Sequence, residues 1–205
     1  MCTNRRPTAH VNAVVALGLA IGVLAAPATP RAQTVAAGET RLRIERALER
    51  LPYYGVFDLL AFRVDRGVVT LSGFAYNATT KSEAAKVVKQ VAGVDEVANK
   101  IELLPTSDFD ERIRWATFYL IYTDDFLSRY APGGAMRARY EVANFARFPG
   151  MQPFGTYPIH IIVKNRKTTL VGVVDNESDK TIAGVRAREV ASVAGVENEL
   201  LIKGK

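Results

Sequence analysis

The chain has almost no cysteine, histidine or tryptophan: its 205 residues include one Cys, two His and one Trp. Cys2 stands ahead of an apolar run near the start, so no disulfide or cysteine-bound metal can brace the folded part, and the core must suffice. His160 is the only histidine beyond the first ten residues. A catalytic or zinc-bound imidazole needs partners of its own kind, or cysteines, and His160 has neither. No nucleophile motif, phosphate loop or dinucleotide fingerprint is present. The acidic pair Asp124-Asp125 falls in a helical stretch, where neighbours point about 100° apart and do not share a proton or a metal. These absences leave no cofactor, no metal and no enzyme chemistry to expect.

Acidic residues are missing before Glu39. The start instead places Arg5 and Arg6 before an apolar stretch from Val14 to Ala26, followed by "APATPRAQT". That is the basic, apolar, small-residue order of an export signal. The apolar core is about 13 residues, roughly 20 Å of helix against a hydrocarbon layer of about 30 Å. Residues 1–28 are therefore expected to be a signal peptide, cleaved after Ala28 or alternatively Ala32, with 29–38 as a linker. Export to the periplasm follows. Losing Arg5 and Arg6 from a net charge of +6 leaves 25 basic against 21 acidic residues, or +4. This is too mild for a nucleic-acid binder, and the placement of the charge matters more than its sum.

What is present is a repeat. Shifted by 99 positions, the chain matches itself without a gap from Phe62 to Leu104. Val64, Thr70, Leu71, Gly73, Asn77, Lys81, Ala84, Val91, Ala92, Val94, Val97 and Asn99 meet identical residues in the second copy. Such internal identity predicts two homologous domains, at 39–105 and 106–205, with an insert at about 131–157 in the second. Each copy reads as helix, hairpin, helix, strand. The hairpins turn at Arg66-Gly67 and Asn165-Arg166, and Arg166 in a left-handed position would cost about 1 kcal/mol. Thr80 with Glu83, and Asp108 with Glu111, have capping-box spacing. Asn176 is a plausible cap, and helices are expected over Glu39–Leu51 and Asp108–Tyr130. The fold class is α+β: two αββαβ units, each a three-stranded sheet with two helices on one face. Gly73 and Gly172 lie inside strands, where glycine marks a bulge or the close approach of another backbone; a crossing helix is the expected neighbour.

The hairpin phrases "VVTLSG" and "TTLVG", a helix after Asn, and then "VAGVDEVANKIEL" or "SVAGVENELLI" resemble the BON domain (bacterial OsmY and nodulation), here in tandem. The resemblance implies a place in the Gram-negative envelope and a non-enzymatic role: attachment to phospholipid, envelope maintenance under osmotic stress, or assistance to folding and assembly. The chain departs from the family pattern in lacking the second turn glycine and in carrying the insert.

Two features mark the second copy. Trp115, Phe118, Tyr119, Tyr122, Phe126 and Tyr130 recur at helical spacing, either to pack on their own sheet or to enter a membrane interface. Arg129, Arg137, Arg139, Arg147, Lys164, Arg166 and Lys167 face one acid, Glu141, a local charge of +6. The basic residues, with Trp115, Tyr119 and Tyr122, are the candidate contacts with an anionic phospholipid surface. The alternative is a chaperone or assembly adaptor that holds client segments through the insert or a sheet edge; a structural subunit built by packing copies together is a third reading.

Overall fold

In the computed structural model the described residues are 30–153 and 155–204, with side chains from residue 38. The expected signal, residues 1–28, lies outside them. The first unit runs α1 (Pro30–Glu49), β1 (Leu59–Asp65), β2 (Val68–Ala75), α2 (Ala78–Lys89), β3 (Glu96–Asn99) and β4 (Glu102–Leu103). The second runs α3 (Asp108–Tyr122), a 3-10 turn (Ser128–Tyr130), α4 (Gly134–Phe145), β5 (Ile159–Lys164), β6 (Lys167–Val174), α5 (Glu177–Arg188) and β7 (Gly195–Ile202). In both, an antiparallel hairpin carries its last strand parallel to the second: β1-β2-β3 with β4 continuing along β2, and β5-β6-β7. The two units are the expected α+β repeats.

Several local expectations need correction. Helix α1 begins at Pro30, so the stretch read as linker is already helical; proline suits a first turn and the alanines after it favour helix. The cap of α2 is Asn77, which accepts from the Thr80 N–H at 2.8 Å, rather than Thr80. Asn176 does the same for the Asp179 N–H. Ser107, not Asp108, caps α3, and that helix ends at Tyr122 instead of Tyr130.

The repeat reaches into the hydrogen bonds. Asn99 donates to the Lys81 carbonyl and accepts from the Ile101 N–H; Asn198 donates to Lys180 and accepts from Leu200. These asparagines therefore sew the parallel strand, β3 or β7, to the helix that follows the hairpin, α2 or α5. Both hairpins close on two-residue turns with positive φ throughout: 46° and 81° at Arg66-Gly67, 53° and 62° at Asn165-Arg166. The strain at Arg166 is offset by Asp110, a buried carboxylate in the first turn of α3. It accepts from the Asn165 and Arg166 N–H groups at 2.9 and 2.7 Å. Gly73 and Gly172 have φ of +105° and +139°, and a Cβ there would sit 2.0 Å from the Leu59 oxygen or 1.9 Å from the Pro158 oxygen. The neighbour that excludes a side chain is the paired strand, not a crossing helix.

Each sheet covers its own apolar cluster. Ile44, Leu48, Leu71 and Val88 centre the first; Phe118, Tyr122, Ile161 and Leu170 centre the second. Val56 and Phe57 precede β1 yet belong to the second cluster. Ile161 donates its N–H to the Val56 carbonyl at 2.8 Å, so the segment entering the first hairpin lies along the outer edge of β5. Gln152, in the insert, locks this junction. Its amide accepts from the Phe57 N–H and donates to the Tyr53 carbonyl and the Asp58 carboxylate. Asp58 is fully buried and also accepts from the N–H groups of Gly55 and Tyr76. Burial pushes its carboxyl up to about 6, against the pull of those three donors.

Candidate functional site: the outer face of helix α4

The insert is built around α4, which Gly133 and Gly134 introduce with positive φ. Ala138 and Glu141 face inward, and the Arg137 Nε donates to the Glu141 Oε1 at 2.6 Å. This pair lies within the helix, where the guanidinium supplies the partner that a carboxylate removed from water requires. The spacing that buries 138 and 141 turns Met136, Arg139, Tyr140, Ala143 and Arg147 to solvent. Met136 is 76% exposed and Tyr140 59%, with Phe148 just past the helix at 56%. Arg139 and Arg147 are exposed and have no ion pair among the described residues. Glu141 is the helix's only acid and it is buried. One exposed surface thus combines three large apolar side chains with two unpaired guanidinium groups. Lone exposed apolar residues are ordinary, but a cluster of them is the mark of a contact surface.

The structure redistributes the other candidates. Trp115 is 4% exposed, edge-on to Phe57 with centroids 5.3 Å apart, and its Nε1 donates to Glu111. Tyr122 is fully buried; its hydroxyl donates to the Ile159 carbonyl at 2.6 Å and accepts from the Ile159 N–H. Burial holds that phenol well above its usual pKa. Both are thereby corrected from surface contacts to core, because the aromatic stripe of α3 faces its own sheet. Tyr119 stays 40% exposed.

Four of the seven basic residues are engaged. Arg129 pairs with Asp179 and Asp175 and lies over the Tyr130 ring, and Arg137 holds Glu141. Lys164 reaches Glu102 of the first unit at 2.7 Å and covers Phe74. Lys167 pairs with Glu197 across the sheet. Arg166 is exposed at the tip of its hairpin, away from α4 in the chain. The +6 segment is therefore no single patch. Met136, Tyr140 and Phe148 were absent from the expected contacts; the signal that could find them is their three-to-four spacing with Arg139 and Arg147.

Among the described residues no group of three or more His, Cys, Asp or Glu is placed to hold a metal ion. No described helix is long and apolar enough to cross a membrane.

Comparison with known proteins places the fold. Among curated proteins, none matches this chain. Two solved structures of CdsD, a structural protein of the type III secretion system of Chlamydia trachomatis, are similar to it. One is 16% identical, covering 81% of this chain and 94% of the other at a TM-score of 0.26. The second, its C-terminal domain, is 17% identical, covering 78% and 96% at a TM-score of 0.24. Neither superposition is close enough to carry an argument. The BON domain family model matches residues 40–105 and 146–204, two stretches separated by α3 and α4. With that match spanning more than half of the sequence, the chain belongs to the BON domain family and contains two copies of the domain.

Proposed function

We propose that this is an exported, non-enzymatic envelope protein of the periplasm that docks on anionic phospholipid through the outer face of α4. The observation that supports it is the joint exposure of Met136, Tyr140 and Phe148 with the unpaired Arg139 and Arg147. Apolar and aromatic side chains favour the headgroup boundary, and each nearby guanidinium adds about 1 kcal/mol at an anionic surface at low salt. Membership of the BON family supports an envelope role, and support of envelope integrity or osmotic tolerance fits that setting.

The test is co-sedimentation of the purified protein with phosphatidylglycerol-rich against phosphatidylcholine vesicles at low and high salt. The wild type should pellet with the anionic vesicles alone and be released by salt. Arg139→Glu with Arg147→Glu should abolish pelleting. Arg137 is left alone because it neutralises a buried carboxylate. If the double variant pellets as the wild type does, α4 is not the docking face.

A further inference from the structure

The two hairpins present the same backbone edge, and only one of them is covered. In a hairpin with a two-residue turn the closing residues exchange hydrogen bonds, and every second residue along the outer strand points its N–H and C=O away. In β5 the outward residues are Ile159, Ile161 and Val163. All three are engaged: Ile159 with the Tyr122 hydroxyl, Ile161 with the Val56 carbonyl, and the Val163 carbonyl with Arg114 at 2.8 Å. Ninety-nine positions earlier the counterparts in β1 are Leu60, Phe62 and Val64. The Leu60 amide faces the Tyr54 hydroxyl. Phe62 and Val64 pair only across the hairpin, through their side of the register; among the described residues no group takes their outward N–H or C=O.

Beside this bare edge lies a cleft of about 540 Å³ between β1 and the middle of α1, at Gly38 to Arg41. Its floor is Thr40, Phe62 and Val64, and Arg41, Arg63 and Arg66 stand along it. Arg41 lies over the Phe62 ring. Arg66 meets Asp65, both exposed, whereas Arg41 and Arg63 have no carboxylate partner among the described residues. Glu39, nearby on α1, is held by Arg43.

We propose that the β1 edge accepts an extended acidic segment of another protein as an added strand. The chain supplies its own precedent, because Gly55–Phe57 occupies the equivalent edge of the second sheet. Period-two alternation sets the ligand chemistry. One set of side chains would be apolar and enter the cleft over Phe62 and Val64. The other set would be carboxylates meeting Arg63 and Arg66. This site is separate from α4 and does not depend on lipid binding.

The test uses the whole chain and a labelled five-residue peptide with alternating Glu and Val, blocked at both ends. Fluorescence anisotropy should show saturable binding that is about tenfold weaker for the Lys-Val counterpart. A single N-methyl group on an amide facing the strand should cost about tenfold, and one on the opposite amide should cost little. Arg41→Glu with Arg63→Glu, both exposed positions, should weaken the acidic peptide by a similar factor. Amide exchange at Phe62 and Val64 should slow when the peptide is bound. Equal binding of both peptides, indifference to the site of methylation, or no saturation by about 1 mM overturns the proposal. So does concentration-dependent self-association that the double variant removes, since the edge would then serve a second copy of the chain.

Discussion

A methyl group added at Gly172 should open the start of the second hairpin. The Cβ would lie 1.9 Å from the Pro158 oxygen and 2.9 Å from its carbon. Both are backbone atoms, and no side-chain rotation relieves the overlap. The same oxygen accepts from the Val173 N–H at 3.1 Å, so moving it aside breaks a bond at the edge of the core. Holding alanine at that φ costs about 1–3 kcal/mol, and losing this hydrogen bond, whose Val173 end is exposed, costs about 0.5–1.5 kcal/mol more. Gly172→Ala should therefore destabilise by about 2–4 kcal/mol, a large share of the roughly 5–15 kcal/mol typical of a folded protein. Gly73→Ala should behave alike, with its Cβ 2.0 Å from the Leu59 oxygen. Gly150 is the control: its φ is +82° but nothing lies within 4 Å of a Cβ there, so alanine should cost only about 1 kcal/mol. Urea unfolding followed by circular dichroism measures all three, with midpoints falling and the slope unchanged. Equal losses for Gly172→Ala and Gly150→Ala would refute the claim that strand contact, not φ alone, demands the glycine.

Three further outcomes are expected. Asp110→Ala should cost about 2 kcal/mol by stranding the turn N–H groups of Asn165 and Arg166, and Arg166→Gly in that background should restore about 1 kcal/mol; thermal melts would show both. Asp58 has its carboxyl raised by burial from 3.8 to about 6, so the folded state binds its proton more tightly than the unfolded chain. Its contribution is full below about pH 4 and fades as pH rises through 6, by at most about 3 kcal/mol. Asp58→Asn should flatten that part of the stability-against-pH curve, and an unchanged slope in urea midpoints from pH 4 to 7 would contradict it. Trp115, the only tryptophan, should emit at short wavelength and resist acrylamide. Its spectrum should not move when anionic vesicles bind, whereas an inserted wedge would shift it.

The repeat, the hairpins and the Asn176 cap were legible because each is local: alternation, turn residues and cap chemistry lie within a few positions of one another. Trp115 and Tyr122 were harder to place, since an aromatic stripe has the same spacing whether it meets a sheet or a membrane. What decides it lies far along the chain, Phe57 for Trp115 and the Ile159 carbonyl for Tyr122. Counting charge along the chain also misled. Arg129 finds Asp179 and Lys164 finds Glu102, partners 50 and 62 positions away, and a local sum cannot subtract them. The proline- and glycine-rich composition around Gly133-Gly134 and Pro149-Gly150 hid α4. Its helix-forming middle is short, and its cap is a backbone conformation rather than a side chain.

The hydrogen bond between Val56 and Ile161 ties the order of synthesis to the order of folding. Residues 55–57 leave the ribosome about a hundred positions ahead of the strand they flank, and until β5 arrives their apolar side chains have no home. The first repeat can close its own sheet early while the tether before it remains an open hook. A fragment cut between the family-matched stretches therefore separates the second repeat from part of its own interior. The smallest piece expected to fold as the whole does begins upstream of Gly55, inside the first copy.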